Sequence, residues 1–143
     1  HSLNDLIEIA RDGGDFYTEA AGKVKNSELS TLFIQMASHK RDIVAGLSAD
    51  VAAMGGDPAE HGTMVGTMRQ AYGKVRAALG EADYAYVAEL EDAEDRLLAA
   101  FRNTISDNDT PAAAKVAAEK YMPRVVECHS IMRSRKLALK AAH

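Results

Sequence analysis

The sequence contains few of the residues that mark alternatives to a helical protein. It has 143 residues, with one cysteine, three prolines and no tryptophan. A lone cysteine, Cys128, cannot form an intrachain disulfide and is typical of a reducing compartment, so we expect the protein in the cytoplasm. Because prolines and β-branched runs are scarce, the composition favours helices over strands. We therefore expect an all-α protein with one domain over residues 1–143.

Two further absences each exclude a class of partner. No apolar run approaches the roughly 20 residues that a membrane-spanning helix needs, so the sequence predicts no membrane partner. The formal net charge is −4, and no face of the chain concentrates lysine and arginine. We therefore expect no nucleic-acid partner.

Four segments carry apolar residues at alternating gaps of three and four, which is the pattern of helices packed in a bundle. We predict the bundle helices at residues 3–25, 27–54, 82–105 and 111–140. Ser2 and Thr110 should cap the first and the last of them. A fifth segment, residues 63–79, also has helical spacing. It should form a crossover helix that carries the chain back along the bundle between the second and third bundle helices.

Charged residues occupy several interior positions of these predicted helices. Glu91 and Glu94 take consecutive inward positions in the third helix, and Lys40 takes one in the second. A buried charge costs several kcal/mol unless it is paired, neutralised or bound to a metal. Counting residues from the turn between the first two helices places Gly14 and His129 within about one helical turn of these charges. The sequence therefore predicts a polar layer inside the bundle.

Two helical hairpins joined by one long crossover form the ferritin-like arrangement, which holds two metal ions between its helices. Such a site takes a carboxylate from each of two helices and a Glu-x-x-His pair from each of the other two. This sequence supplies Glu91 and Glu94, with His129 and the flanking His39 as further ligands for iron or manganese. Gly14 stands where the first helix would supply a carboxylate, and neither histidine has a glutamate three residues before it. Half of such a site is present.

Several short motifs in the chain are similar to those of a known family. They are Leu3-Asn4-Asp5-Leu6-Ile7, Asp12-Gly13, Phe33, Gly55-Gly56-Asp57-Pro58, Glu91, Glu94-Asp95, His129 and Arg133. Over residues 3–136 the chain resembles the bacterial ferritin-like four-helix-bundle proteins that are described only as a domain of unknown function. The resemblance implies a ferritin-like bundle and supplies no reaction. Family members usually carry glutamate directly after the first-helix glycine, where this chain has Gly14.

Two functions stay open, and the sequence does not decide whether the protein is an enzyme. In the favoured hypothesis the chain is a metal-free module for interactions or stress responses, without a cofactor. Its polar layer is then formed by Tyr17, Lys40, Glu91 and Glu94. In the alternative hypothesis, iron or manganese is bound by Glu91, Glu94, His129 and His39. The first is favoured because the Lys40 ammonium competes with a cation for the same carboxylates.

Two smaller inferences concern catalysis and assembly. A hydrolase built on Cys128 and His129 is disfavoured, because adjacent residues on a helix point about 100° apart. Ile9 and Phe16 lie off the apolar stripe of the first helix, so they and the outer face of the crossover segment should leave nonpolar surface. Such surface often marks association, and we expect a homodimer.

Overall fold

The computed structural model describes residues 2–63 and 82–142, which contain four α-helices and no strands. The helices are α1 (Leu3–Ala21), α2 (Ser27–Ala53), α3 (Ala82–Ser106) and α4 (Ala112–Ala141). The prediction of an all-α protein is confirmed in these ranges. The predicted crossover helix falls on residues 63–79, of which all but Thr63 lie outside the described residues.

The helices are arranged as two antiparallel hairpins. α1 packs against α2 and α3, while α4 packs against α3 and α2, so that α2 and α3 lie diagonally across the interior. The carboxylate of Asp83, in the first turn of α3, accepts hydrogen bonds of 2.9 Å from the backbone N–H groups of Lys25 and Asn26. α3 therefore begins beside the α1–α2 turn. α1 and α4 run one way, and α2 and α3 run the other.

Local capping explains why the first two helices begin where they do. The Ser2 hydroxyl accepts from the Asp5 backbone N–H at 3.2 Å, and the Asp5 carboxylate accepts from the Ser2 N–H at 2.9 Å. The Asn26 side chain accepts from the Leu29 N–H at 3.0 Å. Each contact satisfies a backbone donor that the helix itself leaves free. The predicted capping box at Ser2 is confirmed.

Two predicted helix boundaries are wrong. α1 ends at Ala21 and not at residue 25, because Gly22 caps it and the following chain turns toward Asp83. At the start of α4, Pro111 takes the N-cap position that was predicted for Thr110, and no side chain caps that end. The Thr110 N–H instead donates to the Asp107 carbonyl at 3.1 Å, which draws Thr110 into the preceding turn.

The buried apolar residues form two clusters, one toward each end of the bundle. Along α2, the boundary between the clusters falls between Ala37 and Ile43, and along α3 it falls between Leu90 and Leu97. The charged interior positions predicted from the spacing lie in these two intervals. The core is therefore divided by a polar layer.

The predicted exposure of Phe16 is wrong. Its side chain is buried, and its ring meets that of Tyr86 edge to face with the ring centroids 6.3 Å apart. Ile9 is partly buried against the core cluster of the opposite end. Both residues lie beside the α1 stripe and pack against the core. They therefore do not supply the exposed nonpolar surface that was part of the reason for predicting a homodimer.

Candidate functional site

The centre of the polar layer is an ion pair between α2 and α3. The Lys40 ammonium lies 2.7 Å from Oε1 and 2.8 Å from Oε2 of Glu94. The two side chains are 2% and 1% exposed, so the pair is shielded from water. Because Lys40 and Glu94 come from diagonally opposed helices, their contact crosses the whole interior of the bundle.

The lysine stem packs against two glycines in α1, of which Gly14 is the more tightly packed. A Cβ atom at Gly14 would lie 3.3 Å from Lys40 Cβ, and one at Gly13 would lie 3.8 Å from Lys40 Cδ. The alkyl stem of Lys40 therefore passes directly over the bare backbone of the glycine pair. A side chain at Gly14 would therefore press on the base of the lysine stem.

Tyr17 completes the contacts of the Glu94 carboxylate. Its hydroxyl donates to Glu94 Oε2 at 3.2 Å, and the Lys40 ammonium lies 5.8 Å from the centre of its ring. Burial raises the pKa of Tyr17 well above its ordinary value, and the negative charge of Glu94 raises it further. The hydroxyl thus stays protonated as a hydrogen-bond donor, and both oxygens of Glu94 have partners.

Cys128 of α4 lies next to this layer and is a buried free thiol. Burial is the largest cause of its raised pKa, and the positive charge of Lys40 partly opposes that rise. A buried thiol with a raised pKa is a poor nucleophile, because the thiolate is the reactive form. The site therefore lacks the activated cysteine that a Cys–His hydrolase needs.

Glu91 is buried at 3% exposure but has different partners from Glu94. Its two ion-pair contacts are long, at 4.0 Å from Arg133 Nη1 and 3.7 Å from Lys136 Nζ, and both partners belong to α4. Of the four residues predicted for the polar layer, the structure joins Tyr17, Lys40 and Glu94 and directs Glu91 toward α4.

A second polar group surrounds Glu91 at the α3–α4 contact. One ligand atom each from Glu91, Asp95 and His129 lies within 4.8 Å of the other two, and His129 Nε2 is hydrogen-bonded to Asp95 Oδ1. In residues 2–63 and 82–142, no other three His, Cys, Asp or Glu side chains come this close. Glu94 is not part of the group. Neither is His39, whose Nδ1 contacts Arg124 Nη1.

The ligand set predicted from the sequence does not contain Asp95. The available signal was its spacing, since Glu91 and Asp95 are four residues apart and therefore share one face of α3. Asp95 lies outside the interior stripe of α3, so the stripe alone does not predict it as a ligand. Chemically, the two polar groups differ: Glu94 is enclosed by its partners, whereas Asp95 and His129 are 52% and 17% exposed and can meet a solute.

Comparisons with known proteins give a family but no activity. A family model described as "Domain of unknown function (DUF2383)" matches residues 1–107 of the 143-residue chain. No curated protein and no solved structure matches the chain. None of the helices in the described part of the chain combines the length and the apolar character that crossing a bilayer requires.

Proposed function

Because this chain belongs to the family described as Domain of unknown function (DUF2383), a description that assigns no activity, we propose its function from the contacts inside the bundle. The chain is a ferritin-like bundle in which the Lys40–Glu94 ion pair occupies the depth where such bundles hold metal ions. Its interior performs no metal chemistry. The protein then acts as an interaction module through its surface, and only its interior is free of metal ions.

The observation that carries this proposal is the pairing of both Glu94 oxygens with the Lys40 ammonium, at 2.7 and 2.8 Å. A dinuclear site needs such carboxylate oxygens as ligands, and a fixed positive charge beside them repels a cation. Gly14 offers no carboxylate from α1, and its missing side chain is what admits the lysine stem. The residues present therefore fit an ion pair better than a pair of metal ions.

The topology supports the ferritin-like assignment. α3 begins beside the α1–α2 turn, at the end of the bundle opposite to the end of α2. The two hairpins are therefore connected between opposite ends of the bundle. One long connection of that kind between two helical hairpins distinguishes ferritin-like bundles from simple up-and-down bundles.

An interaction role requires nonpolar surface, and several large apolar side chains supply it. Ile34 of α2 and Val116 and Leu137 of α4 are 59%, 65% and 52% exposed. We expect the module to associate as a homodimer. Light scattering should give twice the mass of one chain. A monomer that persists at high protein concentration would contradict the proposed homodimer.

Metal loading tests the metal-free interior. Untagged protein is incubated anaerobically with Fe²⁺ or Mn²⁺, desalted and analysed by mass spectrometry for metal content. The matched variant is the double substitution Lys40→Met with Glu94→Leu, which replaces the ion pair with apolar side chains. The proposal predicts the same metal content in both proteins. Two ions per chain in the parent that are absent from the double variant would contradict it.

A further inference from the structure

We propose that Glu91, Asp95 and His129 form a mononuclear site for a divalent first-row transition-metal ion at the α3–α4 contact. The site is separate from the Lys40–Glu94 pair, and it goes beyond the function proposed above without resting on it. Two carboxylates and one imidazole are a donor set that suits zinc, manganese or iron(II).

The backbone already brings the three ligands together. Glu91 and Asp95 share a face of α3 at a spacing of four residues, and His129 meets them from α4. Ligands that surround one Zn²⁺ ion at its usual bond lengths lie about 3.4 Å apart. The present ligand atoms lie within 4.8 Å of one another, so the movement that binding needs is small. Asp95 is 52% exposed, so rotation of its side chain can exchange its hydrogen bond with His129 for a bond to the ion.

The electrostatics of Glu91 favour a cation at this place. Glu91 is buried beside a second carboxylate, that of Asp95, and two nearby carboxylates repel each other. The cations that face it, Arg133 and Lys136, stay at 4.0 and 3.7 Å, outside hydrogen-bond distance, and Arg133 is 62% exposed. The Arg133 contact is weak because it is long and largely solvated. Lys136 is 29% exposed and makes no hydrogen bond with Glu91, so a metal ion can replace both contacts.

The site would be open on its outer side. Three protein ligands leave a tetrahedral ion with one free position, which is the arrangement of ions that exchange or carry a water molecule. The ion pair between Lys40 and Glu94 closes the interior side, because the Lys40 ammonium contacts both oxygens of Glu94 and repels a second cation there. A single ion per chain follows from this arrangement.

Zn²⁺ is the probe of choice, because it binds nitrogen and oxygen ligands more tightly than Mn²⁺ or Fe²⁺ and has no redox chemistry. Untagged full-length protein is titrated with Zn²⁺ by calorimetry, and the imidazole nitrogens of His129 are followed by NMR. We expect one ion per chain and a shift of the His129 signals at the same stoichiometry. The variants Asp95→Asn and His129→Gln should each raise the Kd at least tenfold.

Two matched controls separate the site from other ligands on the surface. Asp92→Asn removes a carboxylate from the same helix, and His39→Gln removes a histidine that contacts Arg124, so both should bind Zn²⁺ like the parent protein. Zn²⁺ binding that is absent from the parent, or unchanged in Asp95→Asn and His129→Gln, would overturn the proposal. Neither result would contradict the proposal of a metal-free interior. That proposal is contradicted only if metal binding depends on Glu94.

Discussion

Replacing Lys40 by methionine tests the ion pair through stability. Methionine has nearly the same length and helix propensity as lysine, so the substitution mainly removes the charge. It also removes both contacts of the ammonium with Glu94, at 2.7 and 2.8 Å. Glu94 then keeps only the Tyr17 hydroxyl, at 3.2 Å, in a position that is 1% exposed.

The expected loss of stability follows from the two states open to the stranded carboxylate. If it stays charged, an unpaired buried ion costs roughly 3–5 kcal/mol. If it takes up a proton, the cost at pH 7 is about 4 kcal/mol for an ordinary glutamic acid. The protein adopts the less costly state, so we expect Lys40→Met to lower the free energy of unfolding by about 3–4 kcal/mol. For a domain of this size, that lowers the melting temperature by about 10 °C.

Urea unfolding of a double-mutant cycle is the assay. Adding Glu94→Leu to Lys40→Met should recover most of the lost stability, because an apolar pair of similar volume often replaces a buried ion pair without net cost. Lys120→Met is the control: the Lys120–Asp50 pair spans 3.2 Å but Lys120 is 54% exposed, so the unfolding midpoint should stay close to that of the parent. A loss below about 1 kcal/mol for Lys40→Met, as for a surface pair, would refute the reasoning.

Three further predictions concern the glycines Gly13 and Gly46, the thiol of Cys128, and the hydroxyl of Tyr17. Gly13→Ala should raise the free energy of unfolding by about 0.5–1 kcal/mol, since a Cβ there meets only ordinary contacts. Gly46→Ala should not show this gain, because its Cβ would overlap the Tyr121 hydroxyl. Cys128 should resist alkylation at pH 8 in the native protein and react in denaturant, because it is buried with a raised pKa; rapid native labelling would contradict this. Because the pKa of Tyr17 is raised in the folded protein, Tyr17 loses its proton at a lower pH in the unfolded state than in the folded state. The full contribution of Tyr17 to the free energy of unfolding should therefore be present below pH 10.0. Above pH 10.0 the free energy of unfolding should fall by up to about 1.4 kcal/mol per pH unit. Tyr17→Phe should show a smaller alkaline loss in urea melts, and an equal loss in both proteins would exclude Tyr17 as a cause.

The polar layer could be predicted because its members lie on the interior stripes of the helices. A stripe with gaps of three and four defines which residues point inward, and the rise of 1.5 Å per residue converts residue counts into depth. These two rules place Gly14, Lys40 and Glu94 at one level, where the structure has the lysine stem against the glycine and the ammonium on the carboxylate.

The cluster at the α3–α4 contact was harder to predict because its members flank the stripes. A flanking residue faces a neighbouring helix or the solvent according to how closely the two helices approach, which spacing alone does not give. Asp95 was missed for this reason, although it meets His129. Phe16 was expected at the surface for the same reason, although it packs on Tyr86.

The NMR signal of the Lys40 side-chain ammonium tests the central claim most directly. Exposed lysine ammonium groups exchange their protons too fast to be seen at neutral pH, whereas an ammonium that is 2% exposed and held by Glu94 and its neighbours is protected. We predict one protected lysine ammonium signal that disappears in Lys40→Met and keeps its position when one equivalent of Zn²⁺ is added. The absence of such a signal would contradict the buried ion pair, and its loss when Zn²⁺ binds would show that Glu94 is available to a metal.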